Sequence, residues 1–144
     1  MISEVGLSLI LEELIKNCHI RVLNLGIEQG SIRKNSFGID GARCLAAVLL
    51  QNKTLEVLKL EDNDIGINGA EIISIPLKKN KQLKELKISE NLIKTEGAEY
   101  ILLNAINLNA LDLGKNFIKS SIGPTLQKYV ETNKNLRKIN LEYN

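Results

Sequence analysis

The feature that most constrains this chain is that it repeats. LEVLKLEDNDIGINGAE, starting at Leu55, and LKELKISENLIKTEGAE, starting at Leu83, lie 28 residues apart and align without a gap. Both read L-x-x-L-x-[LI]-x-x-N-x-I-x-x-x-G-A. Further copies are LNALDLGKNFI from Leu108, LRKINLEYN from Leu136 and IRVLNL from Ile20. The copy begun at Ile20 resumes as NSFGIDGARCLAAVLLQN, Asn35 to Asn52, in register with Asn63 to Asn80. About four and a half units fill the chain, so the fold must be one that stacks similar units. Three irregularities stand out. The first unit carries extra residues between Leu25 and Asn35, the third is short between Gly97 and Leu108, and Ile122 takes a slot that is Gly elsewhere.

Each recurring letter has a physical task. Leu58 and Leu60 are two apart, so a strand points both to one face; Leu86 and Ile88, Leu111 and Leu113, and Ile139 and Leu141 repeat the arrangement. The Asn that follows (Asn63, Asn91, Asn116, Asn144) sits where the strand turns and can satisfy backbone groups there. Ile65, Ile93 and Ile118 plug the turn. A helix comes next: Ala42, Leu45 and Leu49 form an apolar stripe, repeated by Ala70, Ile73 and Leu77, with Leu7, Ile10 and Leu14 expected in the same frame. Asn17, Asn52, Asn80 and Asn133 are expected to end helices in a left-handed conformation. Pro76 falls inside the third helix and predicts a kink or irregular turn.

Strands joined by helical crossovers must be parallel, with right-handed connections. Strands stack ~4.8 Å apart and helices ~10 Å apart, so a stack of both curves with its sheet inside. This pattern resembles the ribonuclease-inhibitor-like class of leucine-rich repeats, over nearly the whole chain. The resemblance implies an α/β fold, a right-handed β/α solenoid whose horseshoe arc has a parallel concave sheet and convex helices, over a repeat domain spanning 1–144. It also implies a non-enzymatic interaction scaffold that meets a protein partner through the concave face and its rims. The Ran GTPase-activating proteins resemble the same class and supply the alternative reading, although no catalytic residue carries over. The tropomodulin repeat domain, which binds actin filament ends, is a third similar module.

Composition removes other classes. Hydrophobic residues make up 44% but aromatic ones only 3%, so the core is aliphatic. With 19 basic against 17 acidic residues, and no basic run, nothing argues for nucleic acid. No apolar run reaches the ~20 residues a membrane span needs. The apolar N-terminal stretch is broken by Glu4, Glu12 and Glu13 and reads as an amphipathic helix rather than a signal peptide. Cys18 and Cys44 form no CxxC and read as reduced thiols in a cytoplasmic protein, Cys44 as a small core residue. The sequon Asn52-Lys53-Thr54 is read as chance. An abundance of Lys, Asn and Ile is consistent with an AT-rich genome, as in a microbial eukaryote or a bacterium delivering effectors into the host cytosol.

The acidic turn Glu61-Asp62-Asn63-Asp64 has the look of a calcium loop. A calcium loop needs oxygen ligands at alternate positions and a distal Glu. Counting from Glu61, the fifth position is Ile65 and the twelfth Ile72, both hydrocarbon. The turn is therefore a solvated rim, with no metal. No catalytic or cofactor motif occurs, and His19, the single histidine, has no obvious Cys or Ser partner. No cofactor is expected.

What remains is surface. Val57, Lys59, Glu85, Lys87 and Asp112 are the expected outward residues of the concave sheet, and Glu61, Asp62, Glu90 and Lys115 its rim. Lys59 and Lys87 should stand on adjacent strands, with an acidic edge beside them. Val22 and Val57 are adjacent exposed aliphatics. The inserted loop Gly26 to Asn35, with Ile32 and Arg33, is a second candidate contact. These residues are expected to bind the partner, whose identity the sequence does not carry. The chain stops after its fifth strand, so the expectation is either a longer array or a homo-oligomer covering the uncapped repeat.

Overall fold

The computed structural model describes residues 4–27 and 35–144. The proposed contact residues Ile32 and Arg33 lie outside the described residues. Five three-residue strands, β1 (Val22–Asn24), β2 (Val57–Lys59), β3 (Glu85–Lys87), β4 (Ala110–Asp112) and β5 (Lys138–Asn140), form one parallel sheet in sequence order. Helices alternate with them: α1 (Glu4–Lys16), α2 (Gly38–Gln51), α3 (Gly66–Leu77), α4 (Lys94–Asn104) and α5 (Gly123–Thr132), the last preceded by a 3-10 turn (Ser120–Ile122). Equivalent repeat positions pair across the sheet: Leu23, Leu58, Leu86, Leu111 and Ile139 occupy one row. The result is the β/α solenoid that the spacing predicts.

The core is mostly aliphatic, with Phe37 and Tyr129 its buried aromatics, and runs from α1 to α5. Leu58, Leu60, Leu86, Ile88, Leu111 and Leu113 are buried from the sheet side, and Leu45, Ile73 and Ile101 from the helices. The Gly of the repeat is a packing requirement. A Cβ on Gly69 would lie 2.6 Å from Ile65 Cγ2, and one on Gly97 2.8 Å from Ile93 Cβ. The isoleucine that plugs each turn thus occupies the space a side chain would need. Ile122 breaks this rule, and there the regular first turn is replaced by the 3-10 turn, with α5 starting at Gly123.

Two expectations about the helices need correction. The inward stripe of α1 is Leu7, Leu11 and Leu14, all buried, whereas Ile10 is 46% exposed. Relative to Leu7, the step from i+4 to i+3 turns the side chain about 100° around the axis, out of the core. Cys44 is half-buried rather than a core residue, as is Ile72 one unit on, and Tyr100 in the same column is exposed. Pro76 is buried in the last turn of α3, which ends one residue later; the N–H groups of Lys79 and Asn80 both close on the Pro76 carbonyl. The irregularity is therefore a helix stop.

The helix-end asparagines also behave differently from the expectation. Asn52 (φ −67°, ψ 137°) and Asn133 (φ −81°, ψ 92°) are extended, not left-handed. The Asn52 side chain reaches across units. Asn52 Nδ2 donates to the Leu14 and Asn17 carbonyls of the preceding unit (2.6 and 3.1 Å), while its Oδ1 accepts from the N–H of Thr54 and Leu55. Asn80 repeats this, its Nδ2 donating to Leu49 O and its Oδ1 accepting from Gln82 N and Leu83 N, whereas Asn133 Nδ2 donates within its own unit to Leu108 O and its Oδ1 accepts from Asn135 N. Buried in this ladder, the Asn52 amide is committed to the fold, which removes the sequon as a modification site in the folded chain.

Candidate functional site

A second asparagine ladder builds the rim of the concave face. Asn91 Nδ2 donates to Leu60 O (2.7 Å) and Ser89 O (2.8 Å), and its Oδ1 accepts from Asn63 N (3.0 Å) and Ile65 N (3.3 Å). Asn116 and Asn144 repeat these contacts one and two units on. The turns at Asn63, Asn91 and Asn116 are thus each held by the asparagine of the next unit. To make these bonds the flanking residues turn left-handed: Asp62, Asp64, Glu90, Leu92, Lys115 and Phe117 have φ between 53° and 59°. Each such residue costs about 1–3 kcal/mol of backbone strain, offset by the ladder.

The strands set out the concave face in rows. Val22, Val57, Glu85, Ala110 and Lys138 form one, and Asn24, Lys59, Lys87, Asp112 and Asn140 the next. Lys59 and Lys87 are register partners, as expected. Lys87 Nζ lies 3.6 Å from Glu85 on its own strand, whereas Lys59 has no ion-pair partner among the described residues. Asp112 Oδ1 accepts from Gly114 N (3.0 Å) and from Asn140 Nδ2 (3.1 Å), so it braces the sheet edge as well as facing outward. Val22, 55% exposed, lies beside half-buried Val57.

On the rim, Lys115 Nζ pairs with Glu90 Oε1 at 2.8 Å and stands 5.9 Å from the Tyr143 ring centre. Next to this pair is an open groove of about 370 Å³, lined by Asn35, Ser36, Asp62, Asp64, Leu92 and Phe117. Leu92 is 48% and Phe117 66% exposed. The sequence reading passed over these two, although Asp64, Leu92 and Phe117 occupy one repeat column and two of its three members are large apolars in a solvent-facing turn. Glu61 faces Gly26 and Ile27 instead: a Cβ on Gly26 would collide with its carboxylate, and Ile27 N donates to Glu61 O (3.0 Å). Of the expected contact residues, Val57, Lys59, Glu85, Lys87 and Asp112 thus share the sheet face, and Asp62, Glu90 and Lys115 the rim.

Among the described residues no cluster of three or more His, Cys, Asp or Glu side chains is arranged to hold a metal. Cys18 Sγ and His19 Nε2 do approach each other, 3.5 Å apart on an exposed turn, a contact the sequence reading did not find. No described helix is long and apolar enough to cross a membrane.

A curved stack of near-identical strand–helix units, offering an open sheet and a rim rather than an enclosed cavity at these residues, defines a solenoid repeat protein. A family model described as "Leucine Rich repeat" matches residues 51–74 and 79–102. Those two stretches are leucine-rich repeats, and the other units continue the same strand–helix order. Among solved structures, it is similar to the leiomodin-1 actin-binding site 2, with 19% identity and a TM-score of 0.76 over 92% of this chain and 77% of that one. It is also similar to the tropomodulin C-terminal domain of Caenorhabditis elegans, with 14% identity and a TM-score of 0.73 over 92% of this chain and 83% of that one. No curated protein sequence matches significantly.

Proposed function

We propose that this chain is a non-enzymatic protein-interaction scaffold that binds a protein partner through its concave sheet and the adjoining rim groove. The observation that carries this reading is the exposure of Leu92 and Phe117 over the groove beside Asp62 and Asp64. A left-handed turn position favours Gly or Asn, and water favours a polar side chain. Large apolars that meet neither preference are in keeping with a contact surface. Lys59, Lys87, Glu85, Asp112 and the Glu90–Lys115 pair supply the polar surroundings that fix partner and register.

The test is capture from eukaryotic lysate with mass spectrometry, comparing wild type with Lys59→Glu/Lys87→Glu and with Leu92→Asn/Phe117→Asn. Asn tolerates the left-handed turn, so the second variant keeps the fold. A protein held by wild type and lost from both variants supports the scaffold. Recovery of identical proteins by all three removes this face as the site. Stimulated GTP hydrolysis by any small GTPase would remove the non-enzymatic reading.

A second reading concerns the partner. Similarity to the leiomodin-1 actin-binding site 2 favours actin. Elongation of labelled actin filaments, and their co-sedimentation with the chain, tests it; unaltered elongation without co-sedimentation excludes it.

A further inference from the structure

The convex face carries a feature that concave-face binding leaves unused. Across α2, α3 and α4, the columns Cys44–Ile72–Tyr100 and Ala47–Ile75–Leu103 recur at equivalent positions and point away from the core or along its flank. Ile75 is 66% exposed, Leu50 57% and Leu103 53%. The neighbouring column, Arg43–Glu71–Glu99, is charged, so the apolar columns form a band rather than a general loss of polarity. Between α2 and α3 this band deepens into a groove of about 360 Å³ with a floor of Ala46 and Ala47 and walls of Leu50, Ile72 and Ile75.

The groove has a direction. At Leu50, Pro76 and Lys79 it opens into a second depression of about 390 Å³ at the helix C-termini, lined by Lys53, Lys79 and Lys81. None of these three lysines has a carboxylate partner among the described residues; Lys53 Nζ reaches only the Leu50 carbonyl, at 3.5 Å. At the other end Arg43 is paired with Asp40 (3.2 Å), and Glu71 adds an acid. The face therefore runs from a neutralised end, through an apolar trough, to an unpaired cationic end.

We infer that the α2–α3 groove is a second docking site, and that its occupant is one amphipathic helix of a protein partner with acidic residues in its first turn. Apolar side chains at i, i+3 or i+4, and i+7 fill the trough, as in helix-in-groove recognition. From Ile72 to Lys79 the trough is about 10 Å long at 1.5 Å per residue, so two to three turns suffice. The partner helix lies antiparallel to α2 and α3. That orientation sets its N-terminal turn, where carboxylates are favoured, over Lys53, Lys79 and Lys81. A strip of small residues between two apolar ridges suits a narrow cylinder.

Selection of a displayed library of helical segments on the immobilised chain tests this. The expected winners carry the apolar spacing with Asp or Glu in the first turn. A synthetic peptide of the selected sequence should bind at least about ten-fold more weakly to Ile75→Glu, to Leu50→Glu and to Lys53→Glu/Lys79→Glu. Lys59→Glu/Lys87→Glu should bind it unchanged, which separates this site from the concave one. Ile75 and Leu50 are exposed, so circular dichroism should report an intact fold for each variant. The inference is overturned by selected peptides indifferent to both apolar substitutions, or by no helical winner. It is equally overturned by self-association that Ile75→Glu abolishes, or by Ile75-dependent sedimentation with phosphatidylserine vesicles.

Discussion

At the scale of residues, the asparagines divide the work of the turns. Asn91 satisfies four backbone groups, three of them in the preceding unit. Asn63 makes the two donor bonds, to Leu25 O and Glu61 O, but its buried Oδ1 has no partner among the described residues. In the first unit the N–H of Phe37 closes on the Asn63 backbone carbonyl instead. Leaving buried polar groups unmade costs about 1–3 kcal/mol each. At the low end of that range, Asn91→Ala should lose about 4 kcal/mol and Asn63→Ala about 2 kcal/mol, read as urea midpoints with unchanged slope; equal losses would refute the ladder accounting. Tyr129 adds a pH dependence. Burial raises its phenol above the ordinary 10.0, against the opposing hydrogen bond from Asn133. The folded state favours the neutral phenol, so this contribution is constant below pH 10.0 and is lost as pH rises through the raised value. Tyr129→Phe should flatten the alkaline decline in stability relative to wild type, measured by denaturation across that range. The turn asparagines were legible because they recur beside the same strand. The helix-end asparagines were visible too, but their mechanism was not: the carbonyls that Asn52 meets belong to the preceding unit, and no local pattern names a partner so far away in sequence.

At the scale of elements, each helix is packed on its inner face and flanked by its neighbours, and this explains which assignments the sequence permits. The frame of α2 and α3 could be read because two copies in register agree on it. The sequence of α1 has no such copy alongside it; Leu7, Leu9, Ile10, Leu11 and Leu14 crowd its surface, and apolar periodicity alone does not separate i+3 from i+4. The structure puts Leu11 inside and Ile10 outside. Leu11→Ala should cost about 2–5 kcal/mol through lost burial and a cavity, while Ile10→Ala stays within about 0.5 kcal/mol. Thermal or urea unfolding of the two variants decides the register, and a larger loss at Ile10 would reverse it. The same reasoning explains Cys44: equivalence to Ile72 and Tyr100 suggested a core slot, because an apolar column reads alike whether it lines the core or the α2–α3 groove. The irregular units have local causes. The helix of the short third unit is capped by Ala105, whose carbonyl accepts from the buried Tyr129 hydroxyl at 3.2 Å, so a large side chain of α5 is tied to the end of α4.

At the scale of the whole molecule, stacking turns every exposed repeat position into a row, and a row of like charges is a cost that the fold itself does not require. Lys59 and Lys87 are opposite one another, yet only Lys87 has a neighbouring carboxylate, Glu85. Like charges directly opposite disfavour a sheet, and opposite charges favour it, by a few tenths of a kcal/mol for half-exposed groups. Lys59→Glu should therefore stabilise the isolated chain by about 0.3–0.5 kcal/mol at low ionic strength, an increment that shrinks as salt screens the pair. A binding role for the concave face predicts the opposite sign for affinity: the same substitution should weaken capture of the partner while the urea midpoint rises. Stability that falls on Lys59→Glu would show that Lys59 is held by contacts of the fold itself. Stability that rises with binding untouched would leave the lysine row as solvated surface and transfer the burden of recognition to the rim at Leu92 and Phe117. The convex groove answers to neither outcome, because α2 and α3 face away from the sheet, and a scaffold with two independent faces should show additive effects when Lys59→Glu and Ile75→Glu are combined.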